Sequence, residues 1–203
     1  NEAGLTNRAR AAFLEHRQRL NLEQEIARVA QLNAHLVTLG DDTYPAALRE
    51  IDDPPPVLYV RGQLSDQDRR ALAIVGTRKP TRYGYQAAQD MASRLASQGV
   101  TIVSGLALGV DSGAHRGALE SNGRTIAVLG CGLDVVYPQE NRELARQISM
   151  SGAVITEFPI GTRPIGANFP RRNRILSGLS LGVLVVEAPE NSGALITASQ
   201  AAN

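Results

Sequence analysis

No tryptophan occurs in this chain, there is one cysteine, and only 4% of the residues are aromatic. The single thiol, Cys131, has no partner for an internal disulfide, which fits a reducing compartment better than a disulfide-stapled secreted scaffold. So few aromatics exclude a long row of stacking side chains as the main grip on a ligand. No apolar run reaches the roughly 18 residues needed to cross a bilayer. The longest, Leu179 to Val186, is interrupted by Ser180 and Gly182. The first residues are charged and offer no apolar signal-peptide core, and no membrane partner is expected. An excess of one charge is also missing. Twenty-one Lys and Arg against 20 Asp and Glu leave +1, which provides no global field toward nucleic acid.

What is present is ordinary globular composition, 43% hydrophobic and 20% charged, enough over 203 residues for one α/β domain and a small appendage. The chain begins at Asn1 and ends at Ala202-Asn203 inside a helical pattern, so it reads as part of a longer protein. Residues 1–36 are polar with a helical stripe, Leu22, Ile26, Val29, Leu32 and Leu36, and form a helical N-terminal segment. Residues 37–203 form the main domain. Asp52-Asp53-Pro54-Pro55-Pro56 is rigid loop, and Val57 to Val60 is a short strand stopped by Gly62.

From Ala71 the pattern becomes apolar run, glycine turn, helix. The runs are Leu72–Val75, Val100–Val103, Ile126–Leu129, Ala153–Thr156 and Val183–Val186, with helices over Tyr85–Gln98, Ser112–Ser121 and Asn141–Ser149. The runs are short, β-branched and not alternating, as parallel strands buried on both faces should be. The predicted fold is α/β, an extended Rossmann-like, doubly wound, mostly parallel sheet with a small helical N-terminal segment.

Open parallel sheets bind ligands beyond the carboxyl ends of their strands. Those positions hold Gly76-Thr77-Arg78, Ser104-Gly105 through Gly109, Gly130-Cys131-Gly132, Glu157, Glu187 and Ser192-Gly193. One such turn is most simply a tight turn. Four on one rim, with helix N-termini behind them, point to phosphate. Two basic clusters, Arg69-Arg70 to Arg82 and Arg163 to Arg174, supply local positive charge. The G-x-G-x-x-G and P-loop patterns are both absent, so no nucleotide cofactor is expected. Asp111 and His115, four apart on a helix, form a potential carboxylate-oriented base, or a cap and a local hydrogen bond. Cys131 lacks an evident His partner. Glu157 and Glu187 form an acid/base pair only if the fold brings them together.

The combination Val75-Gly76-Thr77-Arg78, Ser104-Gly105-Leu106-Ala107-x-Gly109-Val110-Asp111-x-x-Ala114-His115, Gly130-Cys131-Gly132-Leu133-Asp134-x-x-Tyr137-Pro138, Phe169-Pro170-Arg171-Arg172-Asn173-Arg174 and Ser192-Gly193-x-Leu195-Ile196-Thr197 resembles the DprA/Smf (DNA-processing protein A) family in order and spacing. The resemblance covers about residues 36 to 203. It implies a non-enzymatic cytoplasmic protein that binds single-stranded DNA in natural transformation, helps load RecA recombinase and forms a homodimer. It also implies that residues 1–36 are the remnant of a helical domain and that a further strand follows Asn203. The DNA-binding residues expected are Gly76, Thr77, Arg78, Ser104, Gly105, Gly109, Gly130, Asn168, Phe169, Arg172, Asn173, Arg174, Ser192 and Gly193, with Phe169 stacking on bases, wedging between them, or packing in the core beneath Pro170. Of Arg172 and Arg174, one is expected to contact DNA and the other to brace Glu157 or Glu187. Where some relatives carry a basic residue before the phenylalanine motif, this chain has Gly166, with Arg163 nearby. The alternative is a nucleotide-binding phosphoribohydrolase of the lysine-decarboxylase-like group, whose P-G-G-x-G-T-x-x-E signature is not found. A third reading is an interaction platform that binds only a small nucleotide.

Overall fold

A computed structural model of the chain describes residues 21–189 and 192–201, together with residues 6, 10, 11 and 15. Its centre is a seven-stranded sheet. The strands in chain order are β1 (Ala34–Thr38), β2 (Val57–Gly62), β3 (Ala71–Gly76), β4 (Thr101–Ser104), β5 (Thr125–Val128), β6 (Ala153–Thr156) and β7 (Val183–Val186). Their spatial order is β1-β2-β6-β5-β4-β3-β7. From β6 to β7 every pairing is parallel, whereas β2 runs antiparallel to β6 and β1 antiparallel to β2. The fold is therefore the expected Rossmann-like one.

Seven α-helices cover the sheet among the described residues: α1 (Leu22–Gln31), α2 (Ala46–Arg49), α3 (Arg82–Ser97), α4 (Val110–Glu120), α5 (Arg142–Ser151), α6 (Asn168–Gly178) and α7 (Gly193–Ala201). Period-two alternation splits each strand between two cores. Ala73, Val75, Ile126, Val128 and Ile155 point to one face, where they meet Leu48 of α2, Ile175 and Leu176 of α6 and Ala194 of α7. Ile74 and Ile102 point to the other, against Ala88 and Ala92 of α3 and Ala114 and Ala118 of α4. Farther along that face Ala127 and Val154 meet Val29 of α1 and Leu144 and Ile148 of α5. Burial on both sides explains why these strands read as unbroken apolar runs.

Of the expected helical segment 1–36, most of residues 1–20 lie outside the described residues, Leu22–Gln31 is helix as expected, and only the end departs from that form. Residues 34–36, read as helix, belong to β1, so a boundary at residue 36 cuts a strand. Asn33 at φ 51° ends α1 by turning the backbone out of the helix, and Val37 then points into the core. The three- and four-residue spacing that reached Leu36 continued a helical pattern past its stop. In the real helix only Val29 is buried, while Leu22 and Ile26 are exposed. Strand β2 also runs through Gly62 instead of stopping before it.

At the amino ends of the parallel strands, Asp68 is a buried anchor. Its carboxylate accepts from Arg124 Nε at 2.6 Å and Nη2 at 2.9 Å, from Thr101 Oγ1 at 3.0 Å and from the Ser65 N–H at 2.8 Å. The pair is nearly dry, with side-chain exposures of 17% and 6%. Removing one partner leaves an uncompensated charge in a low-dielectric setting. Asp68→Ala is expected to lose about 3–5 kcal/mol of stability in urea unfolding. A loss under about 1 kcal/mol, the size of an exposed pair, would show the contact to be unimportant.

Candidate functional site

The chain moves in one direction across the sheet from β3 through β4 and β5 to β6, then returns to place β7 on the other side of β3. Helix α3 leaves β3 toward one face and α7 leaves β7 toward the other. A crevice must open where neighbouring connections diverge like this. It does: a cleft of about 430 Å³ lies there, walled by the turn after β3, the start of α6 and the start of α7.

Of the fourteen residues expected at a site, eight line this cleft: Gly76, Thr77, Arg78, Phe169, Arg172, Asn173, Ser192 and Gly193. Lys79, Asp111, Pro170 and Thr197 also line it. Its charged lining is thus three cations, Arg78, Lys79 and Arg172, against the carboxylate of Asp111. Among the described residues neither Arg78 nor Lys79 is held by a carboxylate, unlike Arg124, Arg146, Arg171 and Arg174. The Arg78 guanidinium instead sits 5.5 Å from the centre of the half-buried Phe169 ring, a cation–π arrangement. Helices α6 and α7 both begin at the cleft, and their N-terminal dipoles add to its attraction for anions.

The other six, Ser104, Gly105, Gly109, Gly130, Asn168 and Arg174, build the walls from behind, and several of their expected roles change. The Ser104 hydroxyl is fully buried and donates to Ile74 O at 2.6 Å. The Gly105 N–H donates to Asp111 Oδ2 at 3.1 Å and the Thr77 N–H to Glu187 O at 2.8 Å. None of these three donors is left to meet a phosphate. Gly109 has φ 82°, and a Cβ there would lie 2.4 Å from Thr77 O, so the glycine lets the β3 turn pack against the start of α4. Asn168 Nδ2 donates to Gly130 O at 3.1 Å, joining α6 to the end of β5.

The arginines of α6 divide sharply. Arg172 is 5% exposed, and its Nη1 donates to Gly105 O at 2.9 Å and to Val128 O, the carbonyls at the ends of β4 and β5. Its Nε donates to Asn173 Oδ1 at 3.3 Å. Burial lowers its pKa to about 10, opposed by the charge of Asp111, so it stays cationic at neutral pH. Arg172 therefore lies under the cleft as a structural cation instead of reaching out to a ligand. Arg174 is the brace, donating to both oxygens of the buried Glu157 at 2.9 Å and to Asp53 at 3.1 Å.

The candidate catalytic groups are all engaged elsewhere. Strands β6 and β7 are four places apart in the sheet, roughly 19 Å at normal strand spacing, so Glu157 and Glu187 form no pair. Glu187 accepts from the N–H and hydroxyl of Thr81, which lower its pKa. Burial pushes the Cys131 thiol up to about 11, and its Sγ donates to Val135 O at 3.0 Å, so it is a protonated core residue. Asp111 does not orient His115, because it binds the Gly105 and Ala107 N–H groups. Burial raises the Asp111 pKa, while the charge of Arg172 and these N–H groups oppose the rise. Among the described residues no cluster of His, Cys, Asp or Glu has the makings of a metal site, and no helix is long and apolar enough to cross a membrane.

The sequence model of the family described as DNA recombination-mediator protein A matches residues 35–203. The chain belongs to that family. It is 47% identical over 193 residues to Protein Smf of Synechocystis, covering 93% of this chain and 48% of that one. It is 43% identical to Protein Smf of Escherichia coli, covering 97% and 53%. The chain thus spans about half the length of these curated relatives. DprA from Streptococcus pneumoniae superposes with a TM-score of 0.88 at 37% identity, covering 98% of this chain and 69% of that one. DprA from Helicobacter pylori, described for a single-stranded DNA binding mode, gives 0.73 at 35% identity, covering 82% and 76%.

Sequence reasoning placed Lys79 in a basic cluster but not among the binding residues, because a lysine in a turn carries no pattern of its own. It missed Thr197 because a helical threonine reads as structural. The role of His115 is also settled by packing. The Thr125 hydroxyl donates to Ile102 O, so it accepts from His115 Nδ1 at 2.7 Å, leaving Nε2 unprotonated and without a partner among the described residues. Burial, with Arg172 adding repulsion, lowers the His115 pKa from 6.5 to about 3. Unfolding then takes up a proton below pH 6.5, so this contribution to stability is complete above 6.5 and declines as pH falls toward 3. Wild type is expected to lose up to about 1.4 kcal/mol per pH unit more than His115→Gln across that window in urea unfolding. Parallel pH profiles would show that the imidazole is not held neutral by burial.

Proposed function

We propose that this cleft binds single-stranded DNA through its phosphates and that the chain acts as a non-catalytic recombination mediator. The observation that carries the reading is the set of three cations at the β3–β7 crevice, two of them free of any carboxylate among the described residues, where two helix N-termini converge. Polyanions suit such a surface because each phosphate contact releases counterions from the strand. Phe169, half-buried beside Arg78, supplies one stacking surface, worth about 1–3 kcal/mol per base. Family membership and the binding mode described for the Helicobacter pylori relative support the choice of strand over mononucleotide. Delivery of the strand to RecA recombinase, a homodimeric state and a cytoplasmic place in natural transformation belong to the same proposal. The phosphoribohydrolase reading is weaker because each carboxylate it requires is tied up in a structural contact.

Arg78 is the residue to test, since Arg172 is needed by the fold. Arg78→Ala is expected to weaken binding to oligothymidylate and to reduce the slope of log affinity against log salt by about one. Fluorescence anisotropy over a salt series measures both. No detectable association of wild type at low salt would sink the reading, and release of free base from nucleoside monophosphates would replace it with the enzyme.

A further inference from the structure

The turn after β5 carries an exposed aromatic ring that the cleft does not explain. Tyr137 is 45% exposed, and its ring centre lies 5.8 Å from that of Phe169 with 38° between the planes. A lone exposed ring is commonplace. This one stands beside the aromatic that borders the cleft, which in turn holds the Arg78 guanidinium over its own ring.

The backbone beneath Tyr137 is tied down from several sides. The Gly132 N–H donates to Thr162 O at 3.0 Å, Arg61 Nη2 donates to Leu133 O at 3.1 Å, and Asp134 Oδ1 accepts from the Gly161 N–H at 2.8 Å. Val135 and Val136 pack onto the core next to Cys131. A ring on such a support is already placed for a ligand and loses little freedom on binding. Clamping one base between the two rings would require about 7 Å between parallel planes, twice the 3.4 Å stacking rise. At 5.8 Å and tilted, the pair instead suits two neighbouring bases, one on each ring.

We propose that Tyr137 is a base-contacting residue that extends the strand site past Phe169 toward the β5–β6 side of the sheet. The proposal rests on the single-stranded DNA reading above. It adds a second stacking ring to the one that Phe169 supplies, so that two neighbouring bases are held and not one.

The chain has five tyrosines and no tryptophan, so tyrosine emission is read without tryptophan overlap and comparison with Tyr137→Phe isolates the share of Tyr137. Oligothymidylate is expected to quench wild-type emission. Tyr137→Ala should bind it roughly tenfold more weakly, the size of one lost stacking contact, with the salt slope unchanged. Tyr137→Phe, which keeps the ring, should restore the affinity while losing the part of the quench that belongs to Tyr137. An abasic oligonucleotide of equal length should bind wild type and Tyr137→Ala alike. Wild-type affinity for oligothymidylate in Tyr137→Ala, or an undiminished quench in Tyr137→Phe, would overturn the assignment while leaving the phosphate cleft standing. Failure of wild type to bind oligothymidylate at all would remove both.

Discussion

A buried guanidinium holds this site together. At the ends of β4 and β5 the carbonyl oxygens of two buried residues, Gly105 and Val128, need a donor inside the protein. Arg172 meets both, at Gly105 O and Val128 O, and its charge is stabilised by those dipoles and by nearby Asp111. There is room for it only because residue 105 lacks a side chain: a Cβ there would lie 2.4 Å from Arg172 Nη2. One contact thus satisfies strand ends, fastens α6 to two strands and leaves a positive charge beneath the cleft.

Helical geometry explains why the arginines of α6 have such different fates. Arg171 and Arg174 are three residues apart and share a face, where both meet Glu157. Arg172, about 100° around the helix, faces the strand ends instead. Phe169 is three residues before Arg172 and so lies on the same side, which brings its ring to the cleft. A single helix therefore presents one face to the cleft and another to an ion-pair network that ties it to Asp53 in the proline-rich loop. The second face keeps the first in place.

Binding capacity at this crevice is the difference between free and occupied groups. Many polar groups at the carboxyl ends of the strands serve the fold: the Ser104 hydroxyl, the Thr77 and Gly105 N–H groups, and the Glu157 and Glu187 carboxylates. What remains for a ligand is Arg78, Lys79, the beginnings of α6 and α7, and the Phe169 ring. The proposed binding of single-stranded DNA rests on that remainder, which has cations and a ring but no unengaged acid and base pair.

From residues alone, the parallel strands and the turns that follow them were legible, because burial on both faces writes itself as short β-branched runs broken by glycine. The family signature was legible for the same reason: its motifs stand at those turns in a set order. Strand β1 was not, since Leu32 and Leu36 continue a helical spacing and the reversal at Asn33 depends on one backbone angle. Nor could sequence decide which arginine of α6 is buried, which backbone donors are already engaged, or that Glu157 and Glu187 stand far apart. Those outcomes depend on strand order and on which groups meet across the sheet. Such long-range pairings are settled only when the chain closes around its core.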